Sequence, residues 1–187
     1  MAFAMILFPL LMAAIALAVP SNRLRPWLLP LTAMTYSAMT GFVLTRPELM
    51  TTAPWLILDP PGRLVLLVVG TLFLFCSFYT VGYLKFRQER SNRVFCACLL
   101  GFLGIMSIVV WSHHLGLMWV AIEASALVTA PLIYFNRTQR SIEATWKYLM
   151  VGSVCIALAL MGTFFLAYAS LQAGLDSTLT FEDVLQN

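Results

Sequence analysis

Charge is scarce in this chain. Aspartate, glutamate, lysine and arginine make up 10% of its 187 residues, against 61% hydrophobic, and the mean hydropathy is +0.89. A water-soluble domain is roughly a quarter charged. A soluble core is therefore excluded, and lipid must be the solvent for most of this apolar surface. Alternation of apolar and polar residues is also lacking, which argues against a closed β-barrel. Cysteine is sparse and unpaired in pattern: Cys76, Cys96, Cys98 and Cys155 all fall in apolar segments, with no C-x-x-C among them, so disulfides and metal sites are not expected. No Walker loop, dinucleotide glycine motif, zinc spacing or nucleophile elbow occurs. The chain is thus expected to carry no catalytic centre and no cofactor of its own. Its first 19 residues lack a basic leader, so they read as a retained helix and not a cleaved signal.

What is present is six apolar segments, at 2–19, 27–44, 64–83, 94–111, 115–135 and 142–169. Each is close to the ~20 residues that cross a bilayer as a helix. The expected fold is all-α, a polytopic membrane protein of about six transmembrane helices. Polar breaks separate the spans: 21–26, the long stretch 45–63, 85–93, Ser112-His113-His114, and 136–140. A polar tail follows from 172 to 187, where Thr180-Phe181-Glu182-Asp183 is a weak helix-capping pattern.

The charges orient the bundle. If alternate loops share a side, Arg23, Arg25, Lys85, Arg87, Arg90, Arg93, Arg137 and Arg140 lie together, leaving Arg46 and Arg63 opposite and Lys147 within a span. The positive-inside rule then puts the three basic loops in the cytoplasm and both termini outside, together with Asp176, Glu182 and Asp183. Six spans preserve this bias, and five would break it.

Two ionisable residues fall inside apolar spans. Glu123 sits about nine residues into the fifth, roughly 13 Å deep in a ~30 Å core. An isolated carboxylate there costs several kcal/mol, so it should face protein or water, pair with a cation, or carry a proton. The small neighbours Ala124, Ser125 and Ala126 permit close helix packing beside it. Intramembrane carboxylates are functional by default, which makes Glu123 a candidate proton carrier; the alternative is a protonated, structurally satisfied side chain. Lys147 lies in the sixth span, after a tight basic turn. Counted along the antiparallel hairpin, Glu123 is deeper than Lys147 by roughly 9 Å. Long side chains or water could bridge that gap. Glu143, four residues before Lys147, offers an ordinary helical ion pair instead, with Lys147 snorkelling to the interface. Spacing alone leaves both readings open. His113 and His114, at the outer end between spans four and five, could feed protons to a path or form a polar headgroup turn. Trp111, Met118, Trp119 and Trp146 read as belt and packing residues.

The stretch 92–169 resembles the antiporter-like proton-translocating subunits. The residues that carry the resemblance are His114-Leu115-Gly116-Leu117-Met118-Trp119-Val120-Ala121-Ile122-Glu123-Ala124 and Ser141-Ile142-Glu143-Ala144-Thr145-Trp146-Lys147-Tyr148-Leu149. That family includes the membrane-arm subunits of respiratory complex I and the multisubunit cation/proton antiporters. The wording is most similar to the membrane subunits of group 4 hydrogenases and formate hydrogenlyase. The stretch from Leu58-Asp59 through Val81-Gly82-Tyr83-Leu84 is similar to the family's third helix and its flanking loop.

The resemblance implies that Glu123 is the essential glutamate of the fifth helix and Lys147 the sixth-helix lysine that pairs with or modulates it; Glu143, His113 and His114 are accessory candidates from their positions alone. It implies three regions: an N-terminal three-helix region (1–91), the start of an antiporter-like repeat (92–171) and a polar outer tail (172–187). Full-length members go on to a broken seventh helix and a second inverted repeat. The expected partners are therefore other membrane subunits, one of them supplying the later helices, together with hydrophilic redox subunits. The implied function is proton translocation in the cytoplasmic membrane, within a hydrogenase or NADH/quinone oxidoreductase complex. Two alternatives stay open: part of a multisubunit sodium/proton antiporter, or a structural subunit that does not conduct.

Overall fold

The computed structural model describes residues 1–46, 48, 51–53, 55–86 and 91–172. Arg87 and Arg90 of the second basic loop, the capping pattern at 180–183 and the tail acids Asp176, Glu182 and Asp183 lie outside the described residues.

Six helices dominate: α1 (Ala2–Ala18), α2 (Leu28–Thr45), α3 (Pro60–Phe86), α4 (Arg93–Trp111), α5 (Leu115–Ile133) and α6 (Gln139–Gln172). The protein is an all-α polytopic membrane protein. Among the described residues, five helices are long and apolar enough to cross a membrane, and α1 is a shorter apolar one.

Each helix starts and stops for a local reason. Pro60 and Pro61 open α3, where a fixed φ suits the first turn and the missing N–H has no partner to lose. The Arg63 N–H closes that turn on the Asp59 carbonyl at 3.0 Å. This starts α3 four residues ahead of the apolar run that marks it in the sequence. At the head of α6, Thr138 and Ser141 cap each other: the Ser141 N–H donates to Thr138 Oγ1 at 3.1 Å and the Thr138 N–H to Ser141 Oγ at 2.9 Å. Between α5 and α6 the chain turns through the 3-10 segment Tyr134–Asn136, and Arg137 adopts a left-handed backbone at φ 48°. With 34 residues α6 is about 51 Å long, well beyond a ~30 Å hydrocarbon core.

The long loop 45–63 holds a feature that composition did not reveal. Strands β1 (Thr51–Ala53) and β2 (Leu56–Ile57) pair antiparallel, and Leu56 bridges to Ser112. This small hairpin lies over the α4–α5 junction.

Packing centres on α4 and departs from chain order, because α1 lies against α4 more than against α2. α1 packs along α4, α2 along α3, α4 along α5 and α5 along α6, with α3 also touching α4. The core is formed by Leu29, Tyr36, Leu66, Phe73, Cys96, Leu100, Leu103 and Trp111. α1 and α4 approach closely at Gly104, where a Cβ would stand 2.7 Å from Leu10 Cγ and 3.3 Å from the Ile6 carbonyl. Close approach at small residues is how membrane helices gain packing when lipid is as apolar as they are. By contrast, α6 is peripheral. Its half-buried residues from Thr145 to Leu160 (Thr145, Leu149, Gly152, Ile156 and Leu160) form one stripe facing α5, and the residues between them are exposed.

Candidate functional site

The α5–α6 hairpin carries both intramembrane charges, and two side-chain hydrogen bonds fix its register. Trp119 Nε1 donates to the Ile156 carbonyl at 2.9 Å, and the Thr129 and Tyr148 hydroxyls meet at 2.8 Å. Glu123 therefore lies about level with Ser153, and Lys147 about level with Thr129. The two charges are separated along the axis by about six residues, or ~9 Å, as the sequence count gives.

Their directions differ more than their depths. Glu123 is half-buried. It shares a helical face with Val120 and Leu127, three residues before and four after, which are both 54% exposed. That face of α5 is left open by the rest of the chain. Among the described residues Glu123 has no hydrogen bond or ion pair. Hydroxyls flank it on the helix, but Ser125 and Thr129 are spent on backbone, donating to the Ile122 and Ser125 carbonyls at 2.7 and 2.9 Å.

Lys147 lies two residues from both Thr145 and Leu149, so it stands roughly opposite the stripe that packs on α5. Its ammonium is 2.5 Å from Glu143 Oε1, and the two side chains are 73% and 62% exposed. The structure thus forms the one-turn Glu143–Lys147 pair. It does not bring Lys147 to Glu123, because the lysine points away from α5.

The two histidines sit under the β-hairpin. The His113 N–H donates to the Trp55 carbonyl at 2.9 Å, and His113 Nδ1 is 3.5 Å from the Asp59 carboxylate. His113 is buried beneath the hairpin. His114 caps α5: its Nδ1 accepts from the Gly116 N–H at 3.1 Å. Ser112 Oγ donates to the His114 carbonyl at 3.0 Å, which holds the junction.

One charged residue with a structural place was not singled out by sequence. Arg25 is 2% exposed. Its guanidinium donates to Asn22 Oδ1 at 2.8 Å, to Asn92 Oδ1 at 2.6 Å and to the Val19 carbonyl, while Asn92 Nδ2 donates to the Asn22 carbonyl at 2.9 Å. In the sequence Arg25 is one basic loop residue among eight. The only signal was the pair of asparagines near the ends of two loops that share a side.

Comparison with known proteins bears on the same hairpin. Residues 112–187 match the family described as NADH:quinone oxidoreductase/Mrp antiporter, TM. Over 182 residues the chain is 32% identical to a hydrogenase-4 component F homolog of Methylacidiphilum infernorum, covering 87% of this chain and 35% of that one. Over 136 residues it is 28% identical to NADH-quinone oxidoreductase subunit N of an Azoarcus species, covering 72% of this chain and 28% of the relative. A subunit N from Campylobacter concisus is 26% identical over 112 residues, 59% of this chain and 22% of that one. The chain spans about a third or less of the length of these relatives.

Proposed function

We propose, from the antiporter-like membrane-subunit family of complex I and hydrogenases that these matches support, that this chain is part of a proton-translocating subunit. It would work in a hydrogenase or NADH:quinone oxidoreductase complex of the cytoplasmic membrane. Residues 92–171 are its antiporter-like region. Electron transfer belongs to hydrophilic partner subunits, and other membrane subunits lie alongside.

The observation that carries this reading is Glu123. Its carboxyl lies in the middle of an apolar helix, on an open face, without a partner among the described residues. In hydrocarbon such a group holds a proton, or releases it only when water or a cation arrives. Release and capture of that proton, timed by a neighbour, is one elementary step of translocation. Lys147 has the role of that neighbour's switch. Its ammonium is held by Glu143, and exchange of this partner would change the field along the hairpin.

Proton pumping by the assembled complex tests the proposal. Glu123→Gln keeps the shape of the side chain and removes the ionisable proton. Pumping should fall at least tenfold while assembly stays normal; full pumping with normal assembly rejects the role. Sodium-dependent flux without redox turnover would place the chain with the cation/proton antiporters. Flux unchanged by both Glu123→Gln and Lys147→Ala would leave a scaffold.

A further inference from the structure

A cavity of about 700 Å³ opens at the basic end of the bundle, between the start of α4 and the end of α5, away from Glu123. Two guanidinium groups line it, Arg93 and Arg137, with Ser91, Tyr134, Val94 and Pro131. We propose that this cavity is a binding site for the headgroup of an anionic phospholipid.

Three observations converge on an anion. First, Arg93 and Arg137 come from different loops and meet at one cavity, and among the described residues neither has a carboxylate partner in an ion pair. Second, the N-terminus of α4 is left uncapped. Asn92 occupies the cap position but makes no cap hydrogen bond, because its side chain is turned inward onto Arg25 and Asn22. The Arg93 N–H reaches Ser91 Oγ at 3.5 Å, itself a wall of the cavity, and the positive end of the α4 dipole lies where Arg93 and Val94 line it. Third, Arg137 is held in a left-handed backbone conformation, uncommon for a residue with a side chain, and its guanidinium lies 6.0 Å from the centre of the Tyr134 ring. The turn fixes the direction of the arginine and leaves its donor fork available.

The other walls select a lipid over a free anion. Val94, 52% exposed, and Pro131 face the cavity at the ends of two membrane helices, where acyl chains meet headgroups. A phosphodiester anchored by the arginines would run its glycerol and chains along this apolar wall. Basic pockets between helix ends on the positive side of a membrane bind such headgroups. Tyr134 adds a hydroxyl at headgroup depth.

The test uses the full chain purified in a mild detergent with its partner subunits, read by native mass spectrometry and by thermal shift. The probes are cardiolipin, phosphatidylglycerol and phosphatidylcholine, with inorganic phosphate as a separate arm. Cardiolipin and phosphatidylglycerol should bind and raise the melting temperature, and phosphatidylcholine should not. Arg93→Gln or Arg137→Gln should each weaken anionic-lipid binding about fivefold, and the double variant about 25-fold. Arg140→Gln, outside the cavity, should bind as the unaltered chain does. Equal retention of anionic and zwitterionic lipid overturns the proposal, as does an Arg140→Gln loss as large as that of the cavity variants. Competition by millimolar inorganic phosphate would show a free-phosphate site and reject the lipid. Should the double variant fail to fold, the two single variants carry the test.

Discussion

Arg25 lies where α1, α2 and α4 come together, and its guanidinium ties three stretches of chain: the Val19 carbonyl after α1, Asn22 in the loop, and Asn92 before α4. It is a buried cation whose two terminal nitrogens are held by neutral oxygens. Removing one side of such a network strands the other. Arg25→Ala should therefore lower the stability of the chain in detergent by about 3 kcal/mol, measured by thermal unfolding. Arg25→Lys should recover less than half of that, since one ammonium cannot reproduce the spread of the fork. The sequence does not distinguish Arg25 from Arg23, two residues away. Both are basic loop residues, and only the fold decides which one turns inward. Glu123 is the opposite case. Its unusual character was legible from position alone, because charge in the middle of an apolar span has few explanations. The direction it faces was not.

Among the described glycines, Gly104 is the most tightly packed, where α1 meets α4. A Cβ there meets Leu10 and the Ile6 backbone, whereas at Gly101 the nearest atom is Val128 Cγ1 at 3.3 Å and at Gly152 nothing lies within 4 Å. This ranks three glycine-to-alanine changes. Gly104→Ala should destabilise by about 1–2 kcal/mol, Gly101→Ala by less, and Gly152→Ala should be neutral in the same unfolding assay. Continuous apolar runs made the helices readable, and the six predicted segments coincide with α1 to α6 over most of their length. The ends were not readable. α3 starts early because two prolines suit a first turn, and α6 starts early because Thr138 and Ser141 cap it; neither signal is hydrophobic. The β1–β2 hairpin was hidden because a two-residue strand has too little length to show a period.

At the scale of the molecule, the bundle gathers α1, α3 and α5 around α4, with α6 at its edge, held by a single stripe against α5. The positive-inside argument predicts an orientation with the α5–α6 turn in the cytoplasm, which labelling can check. With the native cysteines replaced by serine, an impermeant maleimide applied to intact cells should label Trp55→Cys, and should reach Gln139→Cys only after lysis; the reverse pattern would invert the topology. The Glu143–Lys147 pair belongs to this scale too. Spacing offered Lys147 two partners, and the choice depended on which face of α6 meets α5, which is known only once the whole hairpin is packed. The ~9 Å offset between Glu123 and Lys147 also has an electrical meaning. It is about a third of a ~30 Å hydrocarbon core, so a proton carried from one level to the other crosses about a third of the membrane voltage. That corresponds to ~0.8 kcal/mol for each 100 mV, the work done on any unit charge that moves between the two levels of the hairpin.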